Sequence, residues 1–292
     1  MAEPYKNQHI VPVSYINRFA TKGQKEYIIC TRCKSNGLTV NFQSSTDKVG
    51  FIKNFYDVTD KSDPKHWEKH LANTVDALCA NEVDSVIESV KNTNILTDKH
   101  KEILSRIIIA QTLRIPANYE HFKDVIYPRI FEDTMLKYGV SNSKEDHFKF
   151  SSDELKNEYF NAVFDNSLLK LLSTVLQHKK WNICINSIRN RIPFITSDNP
   201  VLFEDTTNNG SIGVYSNGLL PETTTIYFPL NPSVAVVING KKQSTNESDV
   251  FYTDDEIFII SKNKMIMDQA FHHTFIPNSE SGYLQDSNSK LL

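Results

Sequence analysis

His9, Glu82, Gln111, Arg114, Asp198 and Asn199 are polar residues placed where the surrounding pattern is apolar or sharply turned, and Gln8 stands beside the histidine. A histidine, two carboxylates, an arginine and amides are the groups needed to hydrolyse a phosphodiester or another phosphorylated substrate. In that reading His9 is the general acid or base, Glu82 and Asp198 hold a divalent ion or orient water, and Arg114 takes the anion. Gln8, Gln111 and Asn199 complete the ligand contacts. Oxygen donors with one imidazole suit Mg2+ or Mn2+ better than zinc. Nucleic acid or a phosphorylated small molecule would then be the partner, and a metal-dependent nuclease acting as a toxin or defence effector is the preferred expectation.

The same residues support two other readings. Arg114 and Gln111 could recognise an anionic ligand without turning it over, which makes the chain a binding or sensing module. All six could instead form a satisfied buried network that ties the amino-terminal segment, helices and sheet together. That arrangement predicts strong destabilisation when any member is removed, because the remaining charges lose their partners.

Each group needs an element to position it. His9 lies in Gln8-His9-Ile10-Val11-Pro12-Val13-Ser14-Tyr15-Ile16-Asn17-Arg18-Phe19, whose apolar residues require burial close to a terminus that would ordinarily be polar. A helix over about 66–90 has an apolar stripe through Leu71, Val75, Leu78, Cys79, Val86 and Val90, with Glu82 on it. A second helix opens at Thr97 or Asp98 and carries Ile103, Leu104 and Ile107 to Ile109. Gln111 and Arg114 share one face of it, and Pro116 closes it. Asp198 and Asn199 sit in Ser197-Asp198-Asn199-Pro200, a turn that follows an expected strand.

Around these the chain reads strand, helix, strand. A short helix over Val13–Phe19 is followed by a hairpin, with strands at Glu26–Thr31 and Leu38–Phe42 joined by a turn at Lys34–Gly37. Residues from about 65 to 178 are helical. Strands return at Trp181–Ile188, Ile192–Thr196, Thr225–Phe228, Val234–Ile238 and Glu256–Ile260, with polar loops at Thr206–Gly213 and Lys241–Asp249 and a last helix over Lys262–Phe271. The order predicts one α+β domain over 1–292, with a mixed or antiparallel sheet built from both ends and the helical block packed on it.

Composition narrows the classes. No run of eighteen apolar residues exists and no basic-then-apolar leader opens the chain, so a soluble cytoplasmic protein without membrane contact is expected. A net charge of −3 gives no global attraction to nucleic acid, although Lys179, Lys180, Arg189 and Arg191 form a local basic cluster. Only nine glycines occur, and neither a dinucleotide fingerprint nor a P-loop is present. Cys30 and Cys33 make one C-x-x-C without a second pair, which favours reduced strand cysteines over a zinc site.

The opening block, with Asn54-Phe55-Tyr56-Asp57-Val58, Leu78-Cys79-Ala80-Asn81-Glu82, Gln111-Thr112-Leu113-Arg114, Trp181, Phe194 to Val201 and Tyr227-Phe228-Pro229-Leu230-Asn231-Pro232, resembles the bacterial family catalogued as domain of unknown function 4238. The motifs occur in order over nearly the whole chain. The family's second acidic helix position has no clear counterpart here, Glu68 being the nearest candidate. The resemblance implies a shared fold and brings no activity with it.

Overall fold

Two periodicities decide the architecture: alternation by two builds the strands, and apolar residues three and four apart build the helices. The computed structural model describes residues 7–21, 27–33, 39–58, 63–138, 150–164, 166–205, 210–211, 221–242 and 250–277. Near the amino terminus are β1 (Asn7–His9), α1 (Val13–Ile16) with a 3-10 turn over Asn17–Phe19, β2 (Tyr27–Cys33), β3 (Thr39–Ser45) and β4 (Phe51–Lys53). The helical block follows: α2 (His66–Leu71), α3 (Ala77–Thr93), α4 (Asp98–Leu113), α5 (Pro116–His121), α6 (Tyr127–Tyr138), α7 (Ser152–Phe164) and α8 (Asn166–Gln177). The rest comprises β5 (Lys179–Asn186), β6 (Thr196–Ser197), β7 (Leu202–Asp205), β8 (Gly210–Ser211), β9 (Thr224–Asn231), β10 (Val234–Lys242), β11 (Val250–Thr253), α9 (Glu256–Asp268) and β12 (His273–Ile276).

The α+β class and the joining of both ends are as expected. A four-stranded antiparallel sheet runs β3-β2-β12-β6, and a six-stranded sheet runs β11-β5-β10-β9-β7-β8 with β11 parallel to β5. β1 pairs separately with β4. The central strands of the larger sheet are apolar on both faces because both are covered. Ile183, Ile185, Ile226, Phe228, Val236 and Ile238 join the large core shared with the helical block. Their alternates Cys184, Tyr227 and Ala235 join a smaller core with Ile259 and Ile266 of α9.

Two expected strands change, and others are added. Glu256–Ile260 is not a strand but the start of α9, where the Asp255 carboxylate accepts from the Phe258 amide at 3.1 Å. A short apolar run does not separate strand from helix by period, and the cap decides it. The strand foreseen at Ile192–Thr196 contracts to β6, and β1, β4, β7, β8, β11 and β12 arise where no strand was foreseen. The turn Lys34–Gly37 lies outside the described residues, as do 206–209 and 243–249 of the two polar loops.

The helix expected over 66–90 contains a π turn at Ala72–Asp76 between α2 and α3. That wider turn sets the buried line through Leu71, Val75, Cys79, Val83, Val86 and Val90. Leu78 and Glu82 flank it and are half-buried, so Glu82 does not occupy the core-facing position predicted for it. No described helix is long and apolar enough to cross a membrane.

Gly50 seats the amino-terminal segment. Its carbonyl accepts from the Ile10 amide at 2.9 Å, and its φ of +67° is one that L side chains rarely adopt. An added Cβ would lie 2.8 Å from Ile16 Cδ1. The left-handed backbone costs an L-residue about 1–2 kcal/mol. Gly50→Ala should therefore lower the thermal midpoint by about 2–8 °C at about 2–4 °C per kcal/mol, with the far-UV circular dichroism at 20 °C, about room temperature, unchanged.

Candidate functional site

A side chain that cannot lose its charge and is only 1% exposed organises the polar residues: Arg114. Thr97 caps α4 by accepting from the His100 amide at 3.2 Å, and after the sixteen residues of the helix Arg114 forms the carboxyl-terminal cap. Pro116 then starts α5, which ends the helix there and turns the guanidinium inward. Its Nη1 donates to Asp76 Oδ1 at 2.6 Å, its Nε to Tyr56 Oη at 3.1 Å and its Nη2 to the His9 carbonyl at 2.5 Å. Asp76 closes the π turn, so the irregular turn presents the counter-ion. Burial opposes the charge, but the Asp76 and Tyr56 contacts outweigh it and hold the arginine pKa above its ordinary value. The Tyr56 hydroxyl is pushed up to about 12, chiefly by burial. It therefore stays protonated and donates to the His9 carbonyl at 3.3 Å.

Gln111, on the same face of α4, donates to the Ile10 carbonyl at 2.8 Å. Gln8 is fully buried: its Oε1 accepts from the Tyr56 amide at 2.6 Å, and its Nε2 donates to Asp57 at 2.5 Å and Glu68 at 3.2 Å. Asp57 is in turn paired with Lys65 at 2.8 Å. The predicted set thus meets in part: Gln8, Gln111 and Arg114 grip the main chain around His9. The His9 ring packs edge-on against Phe51, with centroids 5.8 Å apart, and its Nε2 is buried without a partner among the described residues. Burial first, then the Arg114 charge, lowers its pKa.

Asp198 and Asn199 belong to a second network, on the passage from α9 to β12. The Asp198 carboxylate accepts from the amides of Phe271, His272 and His273 at 2.7, 2.7 and 2.8 Å. Asn199 and Gln269 exchange side-chain to main-chain bonds at 3.0 and 2.7 Å. This turn clamps the passage from α9 to β12. Burial raises the Asp198 pKa to about 6 against the pull of those amides. Glu82 has no hydrogen bond or ion pair among the described residues, and no three His, Cys, Asp or Glu side chains there are grouped to hold a metal. Glu82 thus joins neither network, while Asp198 is committed to three backbone amides of the second. Within the basic cluster Arg191 pairs with Glu256, and Lys179 donates to the carbonyls of Pro221 and Gly240. Cys30 of the C-x-x-C is buried and reduced.

Sequence reasoning passed over Asp76 and the cleft on the far side of the amino-terminal segment. Asp76 carries no sequence signal, because its role depends on the π turn. The cleft, about 510 Å³, is lined by Ser14, Asn17, Arg18, Asp84, Lys91 and Asn231 among others. Arg18 fixes one wall to α3, donating to Asp84 at 2.6 Å, to the Cys79 carbonyl at 2.6 Å and to the Ser14 carbonyl at 3.0 Å. Asn17 Oδ1 is buried and has no partner among the described residues. Tyr15 stacks on Phe228 and bonds Thr196 Oγ1 and the Pro229 carbonyl, both at 2.7 Å. The opening block, the Thr196–Pro200 turn and the Tyr227–Pro232 strand end are therefore tied together beside this cleft.

The two buried acid–base groups predict opposite pH dependences. The carboxyl's ordinary value is 3.8, so the folded state holds the Asp198 proton more tightly and this contribution fades as pH rises from about 4 through about 6. His9 titrates below its ordinary 6.5 when folded, so its contribution fades as pH falls below 6.5. Urea unfolding should show the stability gap between parent and Asp198→Asn widening from pH 7 to pH 5, roughly the span between the two protonation states. The gap between parent and His9→Gln should shrink over the same range.

The family described as "Protein of unknown function (DUF4238)" matches residues 7–281, and the chain belongs to it. No curated protein and no solved structure matches the chain.

Proposed function

We propose that this member of the DUF4238 family is a ligand-binding or sensing module whose site is the cleft beside Asn17, rather than a hydrolase centred on His9. The observation that carries the reading is the Asn17 side-chain oxygen, buried on the cleft wall with no partner among the described residues. Such an atom costs about 1–3 kcal/mol when left unmet, and buried polar groups in native proteins are nearly always satisfied. A ligand in the cleft meets that need once the Asn17 side chain turns toward it.

The hydrolytic alternative draws less support from the geometry. Arg114 would have to bind an anion, yet it is only 1% exposed and each of its nitrogens already donates, to Asp76, Tyr56 and the His9 carbonyl. Asp198 would have to hold a metal or water, yet it accepts three backbone amides. Among the described residues the Arg114 charge is paired with Asp76 and the Lys65 charge with Asp57.

A thermal-shift panel of small polar metabolites and Mn2+, run on the parent and on Ala80→Trp, tests the reading. Ala80 is exposed on the cleft wall, so the indole fills the cleft without entering the core. At a hundred times its dissociation constant a ligand stabilises by about 2.7 kcal/mol. The expected result is a saturable rise for at least one metabolite with the parent, its loss in Ala80→Trp, and no rise with Mn2+. A saturable Mn2+ response with phosphodiester turnover that Asp198→Asn abolishes would overturn the proposal.

A further inference from the structure

We infer that the cleft recognises a small zwitterion, a free amino acid or short peptide, with its carboxylate at Lys91 and its ammonium at Glu88 and Asn17. The inference rests on the ligand-binding reading above. Four charged side chains line the cleft, two of each sign: Arg18, Lys91, Asp84 and Glu88. Arg18 and Asp84 neutralise each other at 2.6 Å. Glu88 and Lys91 remain, and neither has an ion-pair partner among the described residues.

Glu88 and Lys91 are three residues apart on α3, a spacing at which opposite charges ordinarily meet. Here Lys91 Nζ instead reaches across to Ser233 Oγ at 3.2 Å. Ser233 is itself held by Asn231 Oδ1, which accepts from the Ser233 amide at 2.8 Å and its hydroxyl at 3.0 Å. The lysine is thus drawn away from the glutamate and positioned, and the Asn231 amide nitrogen is the adjacent donor. Burial and the nearby Arg189 lower the Lys91 pKa, a cost that an anion would relieve. The Glu88 carboxylate, one turn earlier on α3, and the unmet Asn17 oxygen are both acceptors, which suits an ammonium or amide N–H donor. Ala80 and Ile87 are the apolar residues of the lining.

The balance of signs also selects against alternatives. A dianionic phosphate ester would meet the unpaired Glu88 carboxylate, whereas a ligand with no net charge complements both signs. A charged hydrogen bond contributes about 1.5–3 kcal/mol, so loss of either end should weaken binding by about tenfold or more.

Isothermal titration of the full chain with L-alanine, glycylglycine, acetate, ethylamine and adenosine 5′-monophosphate provides the test, with Lys91→Met, Glu88→Gln and Ala80→Trp as variants. L-alanine or glycylglycine should bind, and which of the two binds more tightly identifies the free amino acid or the peptide as the source. Acetate and ethylamine should each bind about tenfold or more weaker. Lys91→Met and Glu88→Gln should each lose about tenfold or more with the thermal midpoint of the free protein held. Acetate binding as tightly as the zwitterions would overturn the inference. Adenosine 5′-monophosphate binding alone, lost in Ala80→Trp, would overturn it while leaving the cleft as a ligand site. A panel of metabolites that leaves the parent and Ala80→Trp indistinguishable would remove both.

Discussion

The rest of the structure depends on one buried positive charge. A guanidinium cannot be neutralised by losing its proton, so a fully enclosed arginine must have its donors met or the fold fails. Arg114 meets that condition with three partners from three parts of the chain: Asp76 from the π turn, Tyr56 from the loop after β4, and the His9 carbonyl from β1. Each partner is constrained in turn. The π turn must present Asp76, and Tyr56 must keep its hydroxyl proton. The amino-terminal strand must lie where its carbonyl can be reached.

That last requirement connects the network to the cleft. With the main chain of His9 and Ile10 held by Arg114 and Gln111, and Ile10 bonded to Gly50, the following residues have a fixed point of departure. Tyr15 then reaches Thr196 and Pro229, and Arg18 reaches α3. Asn17 lies between these two ties, which is why its amide can be held at a cleft wall. The helical block, both large sheets and the proposed ligand site are therefore coupled through one stretch of thirteen residues, Asn7–Phe19. The Asp198 clamp does a separate task, fixing α9 to β12 where the small core meets the four-stranded sheet.

The legible part of this arrangement was the part governed by local chemistry. Thr97 as a cap and Pro116 as a stop bound α4 correctly, and the apolar opening block announced its own burial. The need of Arg114 for a buried acceptor was also plain from its surroundings. What could not be read was which acceptor. Asp76 becomes the counter-ion only because a π turn sets its direction, and no residue pattern marks that turn. Glu82 was misplaced for a simpler reason. In α3 the buried line runs through Cys79, Val83, Val86 and Val90. Glu82 stands at its border beside Leu78, a difference of one helical position that the apolar pattern did not separate. Asp198 illustrates a different limit: a turn residue at a strand end has the same sequence appearance whether it serves substrate or three backbone amides. The cleft was invisible for want of tertiary contact, its walls coming from residues separated by more than a hundred positions.

The account's central claim is that the Arg114 fork, and not merely its charge, holds the amino-terminal segment in place. Native-state hydrogen exchange on Arg114→Lys beside the parent tests this most directly, because lysine keeps the charge and loses the planar geometry. The predicted result is much faster exchange at the Ile10 and Val11 amides, both bonded to Gly50, with the amides of β9 and β10 in the central sheet far less affected. Unchanged protection at Ile10 and Val11 in that variant would contradict the claim, and with it the link between the buried network and the cleft.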